Sequence, residues 1–207
     1  MIRGLAGRQQ TAMRLRTILL FGAPGSGKGT QGKILGCIPS FYHFACGEVF
    51  RALKPDTELG RVFLEYSSRG QLVPDEPTVR LWQQHIQAAE SAGRFNPKTD
   101  TLVLDGIPRS LRQAQLLQEL VKVRLVFYLQ CRDARKLVGR LQRRALRENR
   151  LDDANIKVIR QRLQTYERET RPLLDFYGPK LVRRIDATQS PIHVLREILG
   201  WLAKSAP

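Results

Sequence analysis

The chain is 207 residues long, with 42% hydrophobic and 26% charged residues, proportions of an ordinary globular domain that exclude a disordered or fibrous protein. This length suits a single domain, and no apolar run approaches the roughly 20 residues that a helix needs to cross a bilayer. Its 35 Lys and Arg against 19 Asp and Glu give a net charge of +16, which favours anionic partners and leaves nucleic acid open among them.

The first 15 residues form a basic segment without acids, which contains Arg3, Arg8 and Arg14. Such a segment is typical of organelle-targeting sequences, and it also fits a plain extension ahead of a folded domain. We predict an N-terminal extension over residues 1–15 and a single domain over residues 16–207.

The three cysteines, Cys37, Cys46 and Cys131, stand far apart in the sequence. They show none of the short paired spacings of zinc sites, and an odd number of cysteines cannot all be bridged. The sequence therefore predicts no disulfide framework, no structural zinc and a reducing, cytoplasmic setting.

Short apolar runs alternate with longer helical patterns along the chain, which is typical of a parallel sheet covered by helices. Strands are predicted at residues 17–21, 41–44, 101–105, 125–129 and 181–185. Helices are predicted at residues 28–35, 74–89, 111–121, 133–147, 155–176 and 191–202. The pattern predicts a three-layer α/β fold with five parallel strands.

A glycine-rich loop, Gly-Ala-Pro-Gly-Ser-Gly-Lys-Gly-Thr at residues 22–30, follows the first predicted strand. Its glycines allow several backbone N–H groups to converge on phosphate oxygens at the positive end of the next helix. Lys28 adds a full charge at the spacing of a phosphate-binding loop, although Gly29 stands where Ser or Thr usually follows the lysine. The segment predicts a phosphate site.

A basic cluster occupies residues 132–150, which contain eight Arg and Lys and only Asp133 and Glu148 as acids. The apolar residues of the helix predicted there follow helical spacing and leave most of the basic side chains on other faces. The pattern predicts a helix with one face in the core and a separate basic face.

Three motifs occur in order along these elements: the loop with Gly29 and Thr30, Asp-Gly-Ile-Pro-Arg at residues 105–109, and Arg-Leu-Asp-Asp at residues 150–153. Together they resemble the adenylate kinases and their nucleoside monophosphate kinase relatives over about residues 16–200. The resemblance implies a P-loop kinase fold with a small helical NMP-binding insertion at about residues 45–74 and a short lid at about residues 144–151. It also implies a monomer that transfers a phosphoryl group reversibly between ATP and AMP.

The resemblance implies an ATP site that works with Mg²⁺. Arg140 resembles the residue that stacks on the adenine of ATP, and Gln189 lies in a loop that approaches the same base. Asp105 resembles the acid that holds Mg²⁺ through a bound water without ligating it directly. The residues implied around the ATP phosphates are Gly25, Ser26, Gly27, Lys28, Gly29 and Thr30.

An AMP site is implied in the same way. Arg51 and Arg109 would clamp the phosphate of AMP, and Gln113 resembles the side chain that reads the adenine edge. Cys46 stands where the family usually has Thr, and Glu48 replaces the usual Asp. Because a thiol is a weak hydrogen-bond partner, Cys46 leaves the acceptor base open. The other positions implied around AMP are Gln71, Leu72, Val73, Gly106, Arg150 and Arg162.

Catalysis in such kinases consists of aligning two nucleotides and neutralising charge on the moving group. The resemblance assigns this role to Lys28, Arg109, Arg144, Arg150 and Arg162, with Asp105 at the metal ion. Between Arg150 and Arg162 the chain has one residue more than the usual spacing of the family.

Two other functions remain open. A UMP or CMP kinase is favoured by Ala45 and Cys46 and opposed by Gln113. A nucleotide-dependent regulator or nucleic-acid-binding protein would use the P-loop as a switch and would account for the net charge. Such a regulator would leave Arg51, Arg109 and Gln113 without a role.

Overall fold

A parallel sheet forms the centre of the protein in a computed structural model that describes residues 14–148, 150, 153 and 155–204. Its five strands lie in the order β2-β3-β1-β4-β5, and each neighbouring pair is parallel. They are β1 (Leu15–Phe21), β2 (Phe41–Ala45), β3 (Thr101–Asp105), β4 (Val121–Gln130) and β5 (Val182–Asp186). The predicted α/β fold with five parallel strands is confirmed.

Helices connect the strands. In the described part of the chain they are α1 (Lys28–Leu35), α2 (Cys46–Arg51), α3 (Glu58–Ser68), α4 (Asp75–Ser91), α5 (Leu111–Leu117), α6 (Ala134–Glu148), α7 (Ile156–Thr165), a π-helix (Tyr166–Thr170), α8 (Leu173–Tyr177) and α9 (Pro191–Lys204). None of these helices is long and apolar enough to span a bilayer.

Both faces of the sheet are covered, and each face has its own core. On one face, Leu20 belongs to a buried cluster with Leu35 of α1 and Ile198 of α9. On the other face, Leu19 belongs to a cluster with Trp82 of α4. Because neighbouring residues of a strand point to opposite faces, β1 contributes to both cores and must be apolar throughout its centre. This accounts for the three layers.

The loops after β1 and β3 meet at the carboxyl edge of the sheet, where Leu20 is in register with Asp105. After β1 the chain continues into α1 on one face of the sheet, and after β3 it continues into α5 on the other face. Two neighbouring strands whose connections leave on opposite faces create a crevice, and ligands of open α/β sheets bind in such crevices. The fold therefore places the glycine-rich loop beside the loop at residues 105–109.

One predicted helix ends too late. The helix predicted at residues 111–121 stops at Leu117, and Val121 begins β4. Val121 and Val123 pair with Leu15 and Thr17 of β1, so the segment extends the strand rather than the helix. The predicted strand at residues 125–129 covered only the fully buried centre of β4.

The helix predicted at residues 155–176 is interrupted. It consists of α7, the π-helix and α8, and the N–H of Arg171 donates to the carbonyl of Tyr166, five residues back, at 2.9 Å. In a π-helix each backbone N–H bonds to the carbonyl five residues back, whereas in an α-helix it bonds to the carbonyl four residues back, so the π-helical turn contains one residue more. The apolar residues still step by three or four through the turn, so periodicity does not reveal it.

Parts of two predicted segments lie outside the described residues. These are residues 1–13 of the N-terminal extension, and Asn149 and Leu151 of the short lid. Asp152 of the predicted motif also lies outside them.

Two glycines allow α1 to pack closely on β2. A Cβ atom on Gly32 would clash with the imidazole of His43, and one on Gly36 would lie 2.7 Å from His43 Cβ. Burial of the imidazole lowers the pKa of His43, which keeps the ring neutral at neutral pH. The position of α1, and with it Lys28 at its start, depends on this contact.

We expect Gly32→Ala to lower the free energy of unfolding by about 1–3 kcal/mol, because the added methyl group overpacks the contact with His43. Urea unfolding measures this change. The matched control is Gly200→Ala in α9, where a Cβ atom would meet nothing within 4 Å. There alanine should raise the free energy of unfolding by about 0.5–1 kcal/mol through its helix propensity. If both substitutions changed the free energy of unfolding equally, the predicted clash between a methyl group at position 32 and His43 would be contradicted.

Candidate active site

A cavity of about 570 Å³ opens at the carboxyl edge of the sheet. The glycine-rich loop after β1 lines one part of it, and α2, α3 and the loop that follows them line another. Side chains from α6 and α7 also line it. All residues that we predicted for the ATP site, the AMP site and catalysis line this one cavity. The structure thus brings together residues as far apart as Gly25 and Gln189, which are separated by 164 positions in the sequence.

The glycine-rich loop has the backbone of a phosphate cradle. Gly25 and Gly27 have φ angles of 84° and 100°, a region that glycine adopts at little cost. The Nζ of Lys28 donates to the carbonyl of Gly22 at 2.7 Å. The Oγ of Ser26 is buried and has no hydrogen-bond partner among the described residues. Since α1 begins at Lys28, its free N–H groups add to a set of donors that fits an anion.

Lys28 is buried among cations. Burial is the main cause that lowers its pKa to about 8, and the charges of Arg109, Arg144 and Arg162 lower it further, while Asp105 opposes them. The lysine thus has one nearby carboxylate against three guanidinium groups. A polyanion in the cavity would supply further counter-charge.

Asp105 lies at the end of β3, facing the glycine-rich loop. Its Oδ2 is 3.5 Å from the position that a Cβ atom on Gly29 would take. The described residues contain no group of three or more His, Cys, Asp or Glu that could hold a metal ion by themselves. Magnesium needs fewer protein ligands than that, because phosphate oxygens and water complete its shell. A single carboxylate beside a phosphate cradle fits this ion.

The loop after β3 holds Arg109 by its backbone and side chain. The Nε of Arg109 donates to the carbonyl of Gly106 at 2.8 Å, and its backbone N–H donates to Oε1 of Gln113 at 2.7 Å. Gln113 is 1% exposed, and its Nε2 makes no hydrogen bond with the described residues. The guanidinium of Arg51 lies over Gly47, where a Cβ atom would be 2.9 Å from Nη2. The cavity therefore has a second basic region, formed by Arg51 and Arg109 from elements other than the glycine-rich loop.

Asp153 joins two of the predicted catalytic arginines. This carboxylate is fully buried, and its Oδ2 accepts from Nε and Nη2 of Arg144 at 2.8 and 2.5 Å. Its Oδ1 accepts from Nη1 of Arg162. One carboxylate thus fixes guanidinium groups from α6 and α7 side by side. We assigned no role to Asp153 from the sequence, although it is the last residue of the motif at residues 150–153.

Glu48 makes ion pairs with two other elements. Its Oε1 lies 2.8 Å from Nζ of Lys33 on α1 and 3.9 Å from Nη2 of Arg150. Arg150 is also 2.5 Å from Oε2 of Glu148. Burial raises the pKa of Glu48, but the hydrogen bond and charge of Lys33 outweigh it, so the net pKa lies below the usual value. Glu48 is therefore ionised at neutral pH and holds Arg150 at the cavity.

The thiol of Cys46 is buried at the start of α2. Burial raises the pKa of Cys46 to about 11, with Asp105 adding to the rise and Arg109 opposing it. The thiol is therefore neutral at physiological pH. It offers the cavity a weakly polar group of small size.

Arg140 and Gln189 lie on the β5 side of the cavity. Nη1 of Arg140 donates to the carbonyl of Ala187 at 3.0 Å, and Nε2 of Gln189 donates to Oε1 of Glu197 at 2.6 Å. Both side chains are thus held next to the loop after β5, beyond the glycine-rich loop.

A comparison with known families decides the family of this chain. The adenylate kinase family model matches residues 20–182. The chain belongs to the adenylate kinase family.

Individual members of the family are similar over most of the chain. An adenylate kinase from Corynebacterium urealyticum is 37% identical over 180 residues, which cover 84% of this chain and 91% of that protein. One from Porphyromonas gingivalis is 39% identical over 171 residues, or 80% of this chain and 84% of that protein. One from Thermobifida fusca is 38% identical over 177 residues, which cover 82% of this chain and 89% of that protein. The predicted resemblance to adenylate kinases is confirmed.

The ion pairs of Asp153 generate a test within this family framework. We expect Asp153→Asn to lower the free energy of unfolding by about 3 kcal/mol, because Arg144 and Arg162 would face each other without a buried counter-charge. Urea unfolding measures the change. The matched control is Glu167→Gln, which breaks an exposed pair with Arg171 at 2.9 Å and should cost less than about 1 kcal/mol. A loss at Asp153 no larger than the control would contradict the buried network.

Proposed function

We propose that the protein is an adenylate kinase that transfers the terminal phosphoryl group of ATP to AMP, reversibly and with Mg²⁺, to give two ADP. The observation that carries the proposal is that one cavity contains a phosphate cradle, a second basic region and two partly buried arginines held by Asp153. A site for one nucleotide has no use for the second region. Membership of the adenylate kinase family supports the same conclusion.

In this proposal the glycine-rich loop binds the phosphates of ATP. Backbone N–H groups, the hydroxyl of Ser26 and the ammonium of Lys28 provide the donors, and Gly25 to Thr30 surround the phosphate chain. Arg140 and Gln189 lie where the base of ATP would extend beyond the loop. Mg²⁺, when bound with ATP, would neutralise charge between the phosphates, and Asp105 would hold one of its waters.

The second basic region binds AMP in this proposal. Arg51 and Arg109 face the acceptor phosphate, and Gln71, Leu72 and Val73 lie along the nucleoside. The free Nε2 of Gln113 offers a donor to a ring nitrogen that accepts. Adenine N1 accepts such a bond, whereas N3 of uracil carries a proton and does not. Gln113 therefore favours AMP over UMP.

Transfer depends on the arginines between the two nucleotides. Arg144 and Arg162, which Asp153 holds in place, and Arg150, which Glu48 and Glu148 hold, surround the path of the phosphoryl group. Fixed cations stabilise charge that spreads over the moving group, and they need no rearrangement during the reaction. We further propose that the α2–α3 region at about residues 45–74 and a lid at about residues 144–151 close over the substrates and exclude water.

A CMP kinase is the second candidate, and Cys46 favours it. Cytosine N3 accepts a hydrogen bond as adenine N1 does, so Gln113 does not separate these two bases. Cys46 stands where the family usually has Thr, and this departure is what keeps the second candidate open. The monomeric state and the cytoplasmic location stay predictions.

The proposal is tested by ADP formation from Mg-ATP with AMP, UMP, CMP or GMP, or with no acceptor. We expect turnover to be fastest with AMP and absent without an acceptor. Gln113→Ala should reduce kcat/KM for AMP about tenfold, the cost of one lost hydrogen bond in a buried site. Gln115→Ala, an exposed position on the same helix, is the matched control. Preference for CMP would select the second candidate, and no transfer to any acceptor would refute the kinase assignment.

The pKa of Lys28 predicts the pH dependence of ATP binding. Phosphate binds the protonated lysine, whose pKa in the free protein is about 8, and the bound anion raises that pKa. ATP affinity should therefore be full below pH 8 and fall above it, by at most about tenfold per pH unit. Calorimetric titration with ATP from about pH 7.5 to 9.5 measures this. Lys28→Arg stays charged throughout and should give a flat profile. An equal decline in both proteins would contradict the assignment to Lys28.

A further inference from the structure

Two buried threonines connect the end of α7 and the π-helix to the acceptor side of the cavity. Thr165 is 4% exposed, and its Oγ1 donates to the carbonyl of Gly70 at 3.1 Å. Thr170 is 8% exposed, and its Oγ1 donates to the carbonyl of Arg109 at 2.7 Å. Gly70 begins the loop that runs into residues 71–73. One helical segment therefore holds both loops of the proposed AMP site.

The π-helix brings the two threonines closer to one side of the helical segment. In an α-helix, residues five apart point about 140° away from each other around the axis. In a π-helix the backbone bond joins residues i and i+5, so residues five apart lie closer to the same side of the axis than they do in an α-helix. Thr165 and Thr170 have this spacing, and the bond from Arg171 N–H to the carbonyl of Tyr166 closes the π-helical turn between them at 2.9 Å.

The same segment lies directly against the first loop. A Cβ atom on Gly70 would be 2.9 Å from the carbonyl oxygen of Val158 and 3.1 Å from the backbone nitrogen of Arg162. The Cγ atom of Arg162 is equally near, at 3.1 Å, so both the backbone and a side chain of α7 pack against the loop. Since α7 also carries Arg162, the position of the loop is set relative to an arginine of the proposed transfer centre.

The second loop is held at two points. The carbonyl of Arg109 accepts from Thr170, and the N–H of Arg109 donates to Gln113. Movement of this backbone would shift the guanidinium of Arg109 and the amide of Gln113 together. Both groups belong to the acceptor side.

We infer that Thr165 and Thr170 are positioning residues, which fix the two acceptor-binding loops against the helix that carries Arg162. They act through the backbones of Gly70 and Arg109, with their hydroxyl groups engaged there rather than with a nucleotide. This inference rests on the proposed function, whose acceptor site it extends. The glycine-rich loop takes no part in these bonds, so the effect should be confined to the acceptor.

The test compares KM for AMP with KM for Mg-ATP in Thr165→Val and Thr170→Val. Each substitution removes one hydroxyl and leaves a buried carbonyl without its donor, so KM for AMP should rise about three- to tenfold while KM for Mg-ATP stays within about twofold. Thr165→Ser and Thr170→Ser keep the hydroxyl and should restore KM for AMP. Should a valine substitution prevent folding, Thr→Ala at the same position answers the same question.

Thr17→Val is the matched control. Thr17 is fully buried in β1, and its Oγ1 donates to the carbonyl of Leu15 at 2.9 Å. This substitution removes the same kind of bond away from the cavity and should leave both KM values unchanged. The inference would be overturned if KM for AMP were unchanged in the valine variants, or if KM for AMP and KM for Mg-ATP rose equally. In either case, turnover by the wild-type protein would still uphold the kinase assignment. Wild-type protein that phosphorylates no acceptor would overturn the proposed function itself.

Discussion

Repulsion among buried cations is the constraint on which the site depends. Lys28 lies near Arg109, Arg144 and Arg162, and like charges in a poorly solvated cavity destabilise one another. Carboxylates offset part of this charge: Asp105 near Lys28, Asp153 between two arginines, and Glu48 and Glu148 beside Arg150. Burial is the main cause of the lowered pKa of Lys28, and the charges of the three arginines lower that pKa further. In the proposed reaction, the phosphates of the two nucleotides would add negative charge to this cavity, so that substrate binding would also relieve the repulsion.

The sheet makes such a concentration of charge possible. Parallel strands with apolar centres give a rigid edge, and the connections after β1 and β3 leave that edge on opposite faces. The charged side chains of the site therefore lie at the edge, while both cores consist mainly of apolar residues. Close packing of α1 on His43 and of α7 on Gly70 extends this rigidity from the strands to the helices that carry Lys28 and Arg162.

Much of the fold and the cavity lining could be predicted from the sequence, because motif and spacing encode them directly. Lys28 follows a strand at a fixed offset, and Asp105 ends another. The boundary at Leu117 could not be predicted, because Val121 joins β4 by pairing with a distant strand. The π-helix keeps the apolar spacing of an α-helix and leaves no periodic signal. The roles of Asp153 and Thr165 depend on partners in other elements, which only the folded chain brings together.

The π-helix gives the segment between α7 and α8 one residue more than a continuous α-helix with the same number of turns would need. Its wider turn takes up this residue, so that Leu173 and Leu174 beyond it remain buried in the core. Removal of one residue within the turn would restore an α-helix and leave α8 facing the core, whereas one more inserted residue would turn the following residues by about 100° around the axis. Among functional variants, this segment should therefore lose a residue more readily than it gains one. The constraint acts on the number of residues and is invisible to any comparison made one position at a time.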